Sequence, residues 1–255
     1  MHKLKGILVV MAIGLLASFG TASAGQFGAP ESLANDGNLS LGVGYFYYSN
    51  EYKNRTTNDT FKLKQNMIYA QLTASYRLVE FYGRVGGADM RIDDAFVTNG
   101  PGYSGFKSDF SDDNYKAFFT VGARGAWEFT PHLSLGPNLQ ASYFTKNTDQ
   151  TTGTVNGVSA KQELEIGDSY RVEFGLFLQA KFKPVTFYAG PFVYLVRGDF
   201  TNKGITATTS DKFEENSILG GAGGIRINIY RGLSIELEAR YSEEFSAGGL
   251  ISYSF

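Results

Sequence analysis

Few residues of this chain have the types and spacing that catalysis requires. The 255-residue sequence contains no cysteine, which excludes thiolate nucleophiles, disulfides and cysteine-ligated metals. Its two histidines are His2, near the start, and His132, between two apolar segments, so a surface site built around a histidine base is not indicated. We therefore predict a protein without enzymatic activity, cofactor or metal. The formal net charge of −2 gives no reason to expect nucleic acid as a partner.

Acidic residues do cluster once, in a polar stretch in the first half of the chain. This cluster consists of Asp93, Asp94, Asp109, Asp112 and Asp113. An EF-hand would need Gly at position 114 and Glu at position 120, where the chain has Asn114 and Thr120. We interpret the cluster as a solvated acidic loop.

A second set of charged residues follows a strict spacing along apolar segments. From Asn38 onward apolar and polar residues alternate, and a period of two indicates β-strands, because successive side chains point to opposite faces. The pattern predicts ten strands, at 38–49, 65–76, 79–92, 116–129, 133–144, 171–182, 185–197, 217–229, 233–241 and 245–255. The charged residues on the polar face are Glu80, Arg84, Arg124, Glu128, Arg171, Glu173, Lys181, Arg226, Glu236, Glu238 and Arg240.

The connections between these strands alternate between tight and long. Tight turns fall at 77–78, 130–132, 183–184 and 230–232, whereas long polar connections fall near 50–60, 93–114, 145–168 and 198–216. All tight turns then lie at one end of an antiparallel sheet. This plan predicts an all-β, closed, antiparallel transmembrane β-barrel with lipid on its apolar face. The alternative is a soluble barrel or sandwich, but its solvated face would carry more Lys, Glu and Thr than the Gly, Ser, Tyr and Gln seen here.

The tight turns also predict which side chains meet across neighbouring strands. They place Arg226 opposite Glu236, and Gln71 opposite Arg84. Mixed charges inside a barrel either stabilise it as a network or line a narrow aqueous passage, and inward glycines favour a thin channel wherever no aromatic ring covers them. Pro137 and Pro191 lie within strands and cannot donate to a ladder, so we expect a bulge at each.

The final residues Ile251-Ser252-Tyr253-Ser254-Phe255 resemble the last strand of Gram-negative outer-membrane β-barrel proteins. The resemblance implies that the barrel-assembly machinery reads Tyr253 and Phe255. The usual glycine five residues before the terminal aromatic is replaced by Leu250, with Gly248 and Gly249 upstream. The resemblance further implies location in the bacterial outer membrane, with short turns in the periplasm, long loops outside and lipopolysaccharide as a neighbour.

The N-terminus has the features of an export signal. Lys3 and Lys5 precede an apolar run that ends in the small residues Ala22-Ser23-Ala24, and the run is too short to span a bilayer. We predict a signal peptide at 1–24, an N-terminal periplasmic segment at 25–37 and the barrel at 38–255.

Two functions remain open for such a barrel. The first is a narrow, porin-like passage for small polar solutes through the mixed-charge interior. The second is a closed barrel that serves as a surface platform for binding, adhesion or partner docking through its long loops.

Overall fold

The computed structural model describes residues 27–30, 39–56, 58–96, 102–204 and 208–255. The predicted signal peptide lies outside these residues. The described chain forms fourteen strands: β1 (Leu39–Asn54), β2 (Thr60–Tyr76), β3 (Val79–Ile92), β4 (Tyr103–Ser104), β5 (Phe110–Gly125), β6 (Trp127–Thr130), β7 (Leu133–Phe144), β8 (Asn147–Val155), β9 (Val158–Phe182), β10 (Val185–Lys203), β11 (Thr208–Glu215), β12 (Leu219–Tyr230), β13 (Leu233–Tyr241) and β14 (Phe245–Ser254). In the same part of the chain, no helix has the length and apolar character needed to cross a membrane.

Ten of these strands close into a ring. Their order is β1, β2, β3, β5, β7, β9, β10, β12, β13 and β14, and each is antiparallel to its neighbours. The ring closes where β14 pairs with β1, from Ser40 opposite Ser254 to Tyr47 opposite Ala247. The predicted ten-stranded barrel is therefore confirmed. Closure pairs β1 with β14, so that the ten-stranded ring itself has no open edge.

The barrel wall separates apolar from polar side chains in the sense opposite to that of a soluble protein. On β2, Leu72 is exposed on the outside while its neighbours Gln71 and Thr73 are buried inside. The same alternation continues around the ring, for example on β9, where Leu178 is exposed and Gln179 is buried. An exterior of exposed apolar side chains requires lipid, so the barrel spans a membrane.

Exposed aromatic side chains lie near both ends of this apolar exterior. Trp127, Phe129 and Phe182 lie near the tight turns, and Tyr170 and Tyr241 lie toward the opposite end. Tyr45 and Tyr47, which the alternation also assigns to the outside, are only half-buried. Rings at two levels fit the two interfaces of a bilayer, where amphipathic aromatics are enriched.

Three segments predicted as long loops instead form β-hairpins. In the segment 50–60, β1 and β2 remain paired as far as Lys53 opposite Thr60. Residues 145–168 contain β8 and the first part of β9, joined by a turn in which Asn156 and Gly157 have φ of +52° and +80°. Asn-Gly favours this two-residue turn because both residues tolerate positive φ. Residues 198–216 contain the end of β10 together with β11, which also pairs with β1 through Tyr52 opposite Glu215. The barrel wall therefore continues past the lipid-facing band as ordered sheet.

The bulges predicted at the strand prolines are wrong. Pairing continues without a register shift past Pro137, opposite Leu176, and past Pro191, opposite Gly221. The second neighbour of β7 is formed by β5 and β6, and the chain between these two strands leaves the ladder at Ala126. The second neighbour of β10 is β9, in which Pro191 has no partner. Each missing N–H thus lies at a gap in one ladder, and no extra residue is needed. Register shifts occur elsewhere, such as between Ala88 and Met90.

Candidate functional site

The interior of the barrel collects most of the charged residues that the alternation pattern selects. Nine of them are buried there: Glu80, Arg84, Arg124, Arg171, Glu173, Arg226, Glu236, Glu238 and Arg240. The other two, Glu128 and Lys181, form an ion pair near the tight turns, and 55% of the Glu128 side chain is exposed. These two residues therefore belong to the rim of the barrel.

Three buried ion pairs lie inside the described part of the barrel. Arg124 donates to Glu80 (Nε to Oε1, 2.6 Å), Arg226 to Glu236 (Nε to Oε2, 2.9 Å), and Arg240 to Glu173 (Nη2 to Oε1, 2.6 Å). The Arg226–Glu236 contact is the pair expected from the tight turn between β12 and β13, and the two residues are direct neighbours in the ladder. Buried charges are tolerated when they are paired and hydrogen-bonded, as these are.

Two further arginines contact aromatic rings. Arg84 donates to Gln71 (2.7 Å), its predicted cross-strand partner, and its guanidinium lies 4.7 Å from the ring centre of Tyr82. The Arg171 guanidinium lies 3.9 Å from the ring centre of Tyr48 and 5.0 Å from that of Phe144. Such cation–π contacts suit Arg, whose planar group is weakly hydrated.

A short segment of the chain lies inside the barrel beside these charges. Residues 27–30 belong to the segment 25–37 for which the sequence predicts a periplasmic location, and the rest of that segment lies outside the described residues. Phe27 and Ala29 have no exposed surface. Their backbone N–H groups are bound by carboxylates of β13: Phe27 and Gly28 donate to Glu238 (3.1 and 2.9 Å), and Ala29 donates to Glu236 (2.6 Å).

The carbonyl groups of the same segment are bound by side chains from other strands. Phe27 O accepts from Arg124 Nη1 (3.1 Å) and from Asn138 Nδ2 (2.6 Å), and Ala29 O accepts from Arg226 Nη2 (3.3 Å). Strands β5, β7 and β12 supply these donors. The charged residues therefore do more than neutralise one another, because they also satisfy the backbone of a buried segment that joins no strand of the described sheet.

Side-chain packing fixes the position of residues 27–30. The Phe27 ring lies 5.1 Å from that of Phe177 and 5.3 Å from that of Phe192, and the Arg240 guanidinium stacks 4.3 Å from its centre. Gly28 has φ of +79°, and a Cβ there would overlap the Arg124 guanidinium. One sign of this site is present in the sequence. Glu236 and Glu238 lie side by side on one face of β13, and two neighbouring buried carboxylates need several hydrogen-bond donors.

Aromatic rings cover the inward glycines that would favour a thin channel. A Cβ at Gly44 would meet the ring of Tyr69, one at Gly122 the ring of Tyr82, and one at Gly220 the ring of Phe192. Two small cavities inside the wall, one beside Arg240 and one beside Arg171, have volumes of about 10 Å³ each, room for about one water molecule. In this conformation the described interior is filled by side chains and by residues 27–30.

Apolar side chains continue the filling toward the long hairpins. Tyr52 and Phe213 pack edge to face with ring centres 5.6 Å apart, beside buried Leu63, Ile92 and Phe110. At the opposite end, a cavity of about 420 Å³ opens among the tight turns and reaches Arg226, which binds Ala29. The barrel is therefore open between residues 27–30 and the tight turns, and it is packed between these residues and the long hairpins.

The hairpins beyond the membrane carry their charges in pairs. Lys203 of β10 binds Glu163 of β9 (2.7 Å), and Lys146 binds Glu165 (2.5 Å). The hydrogen bond from Lys203 holds the pKa of Glu163 below its usual value, and the hydrogen bond from Lys146 does the same for Glu165. Two residues of the acidic cluster also form ion pairs: Asp93 with Lys64 (2.6 Å) and Asp113 with Arg91 (3.1 Å).

Two predicted residues lie away from the interior. Tyr253 and Phe255 are exposed on the outside of the barrel near the tight turns, with ring centres 5.3 Å apart. Their assignment as a signal for the assembly machinery stays a prediction. His132 lies in an exposed turn at the same end.

No protein-family model and no curated protein matches the chain. Among solved structures, it is similar to the translocator domain of the autotransporter NalP from Neisseria meningitidis, with 8% identity, a TM-score of 0.46 and coverage of 87% of this chain and 89% of that one. It is also similar to the outer membrane protease OmpT from Escherichia coli (11% identity, TM-score 0.45, coverage 85% and 93%) and to an outer membrane channel from Pseudomonas putida F1 (12% identity, TM-score 0.43, coverage 91% and 98%).

The closed ring, the apolar exterior and the polar interior together define the class of this protein. It is an integral transmembrane β-barrel with the architecture of bacterial outer-membrane barrels. This architecture carries many different functions, so the function must be argued from the interior and the hairpins.

Proposed function

We propose that this protein is a closed, non-enzymatic outer-membrane barrel whose long hairpins form a binding platform at the cell surface. The observation that carries the proposal is the filled middle of the barrel, where ion pairs, aromatic rings and residues 27–30 pack together and the two cavities beside Arg240 and Arg171 measure about 10 Å³ each. A barrel closed in this way serves best as a rigid support for what it displays outside the membrane.

The hairpins have the order expected of such a platform. The β8–β9 hairpin pairs with the short strand β4, and β11 pairs with both β10 and β1. A cleft of about 230 Å³ lies where these elements meet the mouth of the barrel, with Phe61, Leu164 and Phe200 in its wall and Asp59 and Asp94 beside them. An apolar floor with a few polar groups is typical of binding sites.

Binding experiments with a hairpin-truncated variant test the platform. In this variant residues 149–163 are replaced by a short Gly-Ser turn, which leaves the lipid-facing part of β9 intact. Cells that display either protein are probed on an array of immobilised glycans and extracellular proteins. We expect at least one ligand to bind the full protein and to be lost with the hairpin. Identical binding profiles for two equally abundant proteins would contradict the platform.

The second candidate is the porin-like passage for small polar solutes, and one observation favours it. Among the described residues, side chains and packing hold residues 27–30, and an open cavity of about 420 Å³ lies between them and the tight turns. A segment of this kind can leave without breaking a strand ladder. The passage would then be closed at rest and open on release of the segment.

Planar-bilayer recordings separate the two candidates. The refolded full chain is expected to give no conductance steps in either case. In a chain lacking only residues 27–30, a passage predicts discrete conductance steps. A closed platform predicts none, because the aromatic and apolar side chains between this site and the hairpins remain in place. Steps in the full chain would contradict the closed barrel.

A further inference from the structure

We infer that the barrel interior around Glu236 and Glu238 is a binding site for a short peptide segment, that residues 27–30 are its resident ligand, and that it accepts a separate peptide when they are absent. The ligand class is an uncharged segment that presents an aromatic residue, a glycine, a small residue and a proline in this order. This inference concerns the interior and does not depend on the surface platform.

The site binds three consecutive backbone N–H groups through two carboxylates. Glu238 accepts from residues 27 and 28, and Glu236 accepts from residue 29. The Tyr188 hydroxyl, which has one hydrogen to donate, lies 3.0 Å from Glu236 Oε1 and 2.9 Å from Glu238 Oε2. A carboxylate accepts several hydrogen bonds, and bonds to a charged acceptor are stronger than neutral ones. Proline fits only at the fourth position, because Pro30 has no N–H and none of these bonds requires one there.

The carbonyl side of the ligand is recognised by donors from three other strands. Arg124 and Asn138 meet at Phe27 O, and Arg226 reaches Ala29 O. The site thus accepts hydrogen bonds from the N–H groups of the ligand and donates hydrogen bonds to its C=O groups. A strand at a sheet edge does the same when it binds a peptide. Here side chains of the barrel wall replace the neighbouring strand.

Side-chain selectivity arises at three positions of the ligand. Phe27 lies between Phe177 and Phe192 beneath the Arg240 guanidinium. Position 28 takes only glycine, since its φ is +79° and a Cβ would overlap Arg124 and lie 2.7 Å from Glu236 Oε1. Pro30 lies over Gly136, where a Cβ would meet the proline ring. The site therefore distinguishes Phe-Gly-Ala-Pro from a peptide that differs by one side chain.

Peptide binding to a chain lacking residues 27–30 tests the inference. The probe is a fluorescein-labelled peptide with the sequence Gln-Phe-Gly-Ala-Pro, and binding is followed by anisotropy with the refolded barrel in detergent. We expect saturable 1:1 binding to the shortened chain and affinity at least about tenfold weaker for the full chain, whose site is occupied. The control peptide Gln-Phe-Val-Ala-Pro is expected not to bind. Absence of saturable binding, or equal binding of both peptides, would overturn the inference.

A second pair of variants tests the same site in the full-length chain. Gly28→Val is expected to expel the resident segment, so that the variant binds the added peptide as the shortened chain does. Gly221→Val is the matched control, because a Cβ at Gly221 meets nothing within 4 Å, and it is expected to behave as the unaltered protein. Equal peptide binding by the two variants would count against the inference, whatever the conductance recordings show.

Discussion

Arg124 shows how one side chain in the barrel interior serves several partners. Its guanidinium pairs with Glu80 and also donates to the carbonyl of Phe27, while the Tyr82 ring lies 5.7 Å away. Removing one partner of a buried ion pair leaves the other charge without compensation, and this cost exceeds the net stabilisation that the intact pair provides. The free-energy effects of single substitutions should therefore differ strongly between the interior and the rim.

We expect Arg124→Met to lower the free energy of unfolding by about 3–5 kcal/mol, because Glu80 and the Phe27 carbonyl both lose a buried donor. Urea unfolding in lipid vesicles measures the change. Lys181→Met is the matched control, since it removes the partner of the half-exposed Glu128, and it should cost at most about 1 kcal/mol. Equal losses in the two variants would show that burial does not set the strength of these pairs.

Arg171 differs from Arg124 because its Nε and Nη1 atoms have no hydrogen-bond partner in the described interior. Its contacts with the Tyr48 and Phe144 rings can be replaced in part by the thioether of methionine. We expect Arg171→Met to change the free energy of unfolding by less than about 2 kcal/mol. A loss as large as that of Arg124→Met, in the same urea experiment, would reveal a further partner of the Arg171 guanidinium.

At the scale of elements, the β8–β9 hairpin is the clearest difference between prediction and structure. Asn156-Gly157 is a strong local signal for a two-residue turn, but the polar residues around it have no apolar alternation, so the segment reads as a loop. The hairpin has little lipid-facing surface. It is stabilised by the ladder between β8 and β9 and by ion pairs between β9 and β10. Strands of this kind cannot be recognised from hydrophobic periodicity.

These ion pairs predict a pH dependence of the hairpin. The pKa of Glu163 lies below its usual value because Lys203 binds it, so the pair stabilises the hairpin above the usual pKa of about 4.5 and is lost as the pH falls through the lowered one. Hydrogen exchange of residues 158–165, corrected for its intrinsic pH dependence, should accelerate as the pH falls below about 4.5. In Lys203→Met the acidic acceleration should be smaller, and an unchanged acceleration would contradict the assignment.

At the scale of the whole molecule, closure of the ring determines which surfaces meet lipid and which face one another. The seam between β1 and β14 joins the two ends of the barrel sequence. Because the chain contains no cysteine, a pair of introduced cysteines reports on this seam alone.

We expect Val43→Cys combined with Ile251→Cys to form a disulfide in the folded barrel, since the two residues are direct neighbours in the ladder and paired Cα atoms lie within the range of disulfides. Mobility on a non-reducing gel detects the cross-link. Val43→Cys with Leu139→Cys, on the non-adjacent strand β7, should remain reduced. A cross-link in the control, or none at the seam, would contradict the order of strands.

Most of the fold could be predicted from the sequence because two local signals agree. The period of two specifies the strands, and the tight turns specify their register, which is why Arg226 meets Glu236 and Gln71 meets Arg84. The bulges at Pro137 and Pro191 were predicted wrongly, because a missing donor can also be accommodated at a gap in a ladder. The site around residues 27–30 could not be predicted, since its hydrogen bonds join residues between 97 and 211 positions apart.

The buried segment also bears on how the barrel distinguishes its own register from near alternatives. Sliding β13 by two residues would keep every apolar side chain toward lipid, so hydrophobic alternation cannot reject that arrangement. Such a slip would move one of the two carboxylates, Glu236 or Glu238, into the place of the other, so that only one would still face residues 27–29 and a buried N–H donor would be left unsatisfied. Residues 27–30 thus select the register of β13, because their buried N–H groups all have acceptors only when β13 pairs in the correct register.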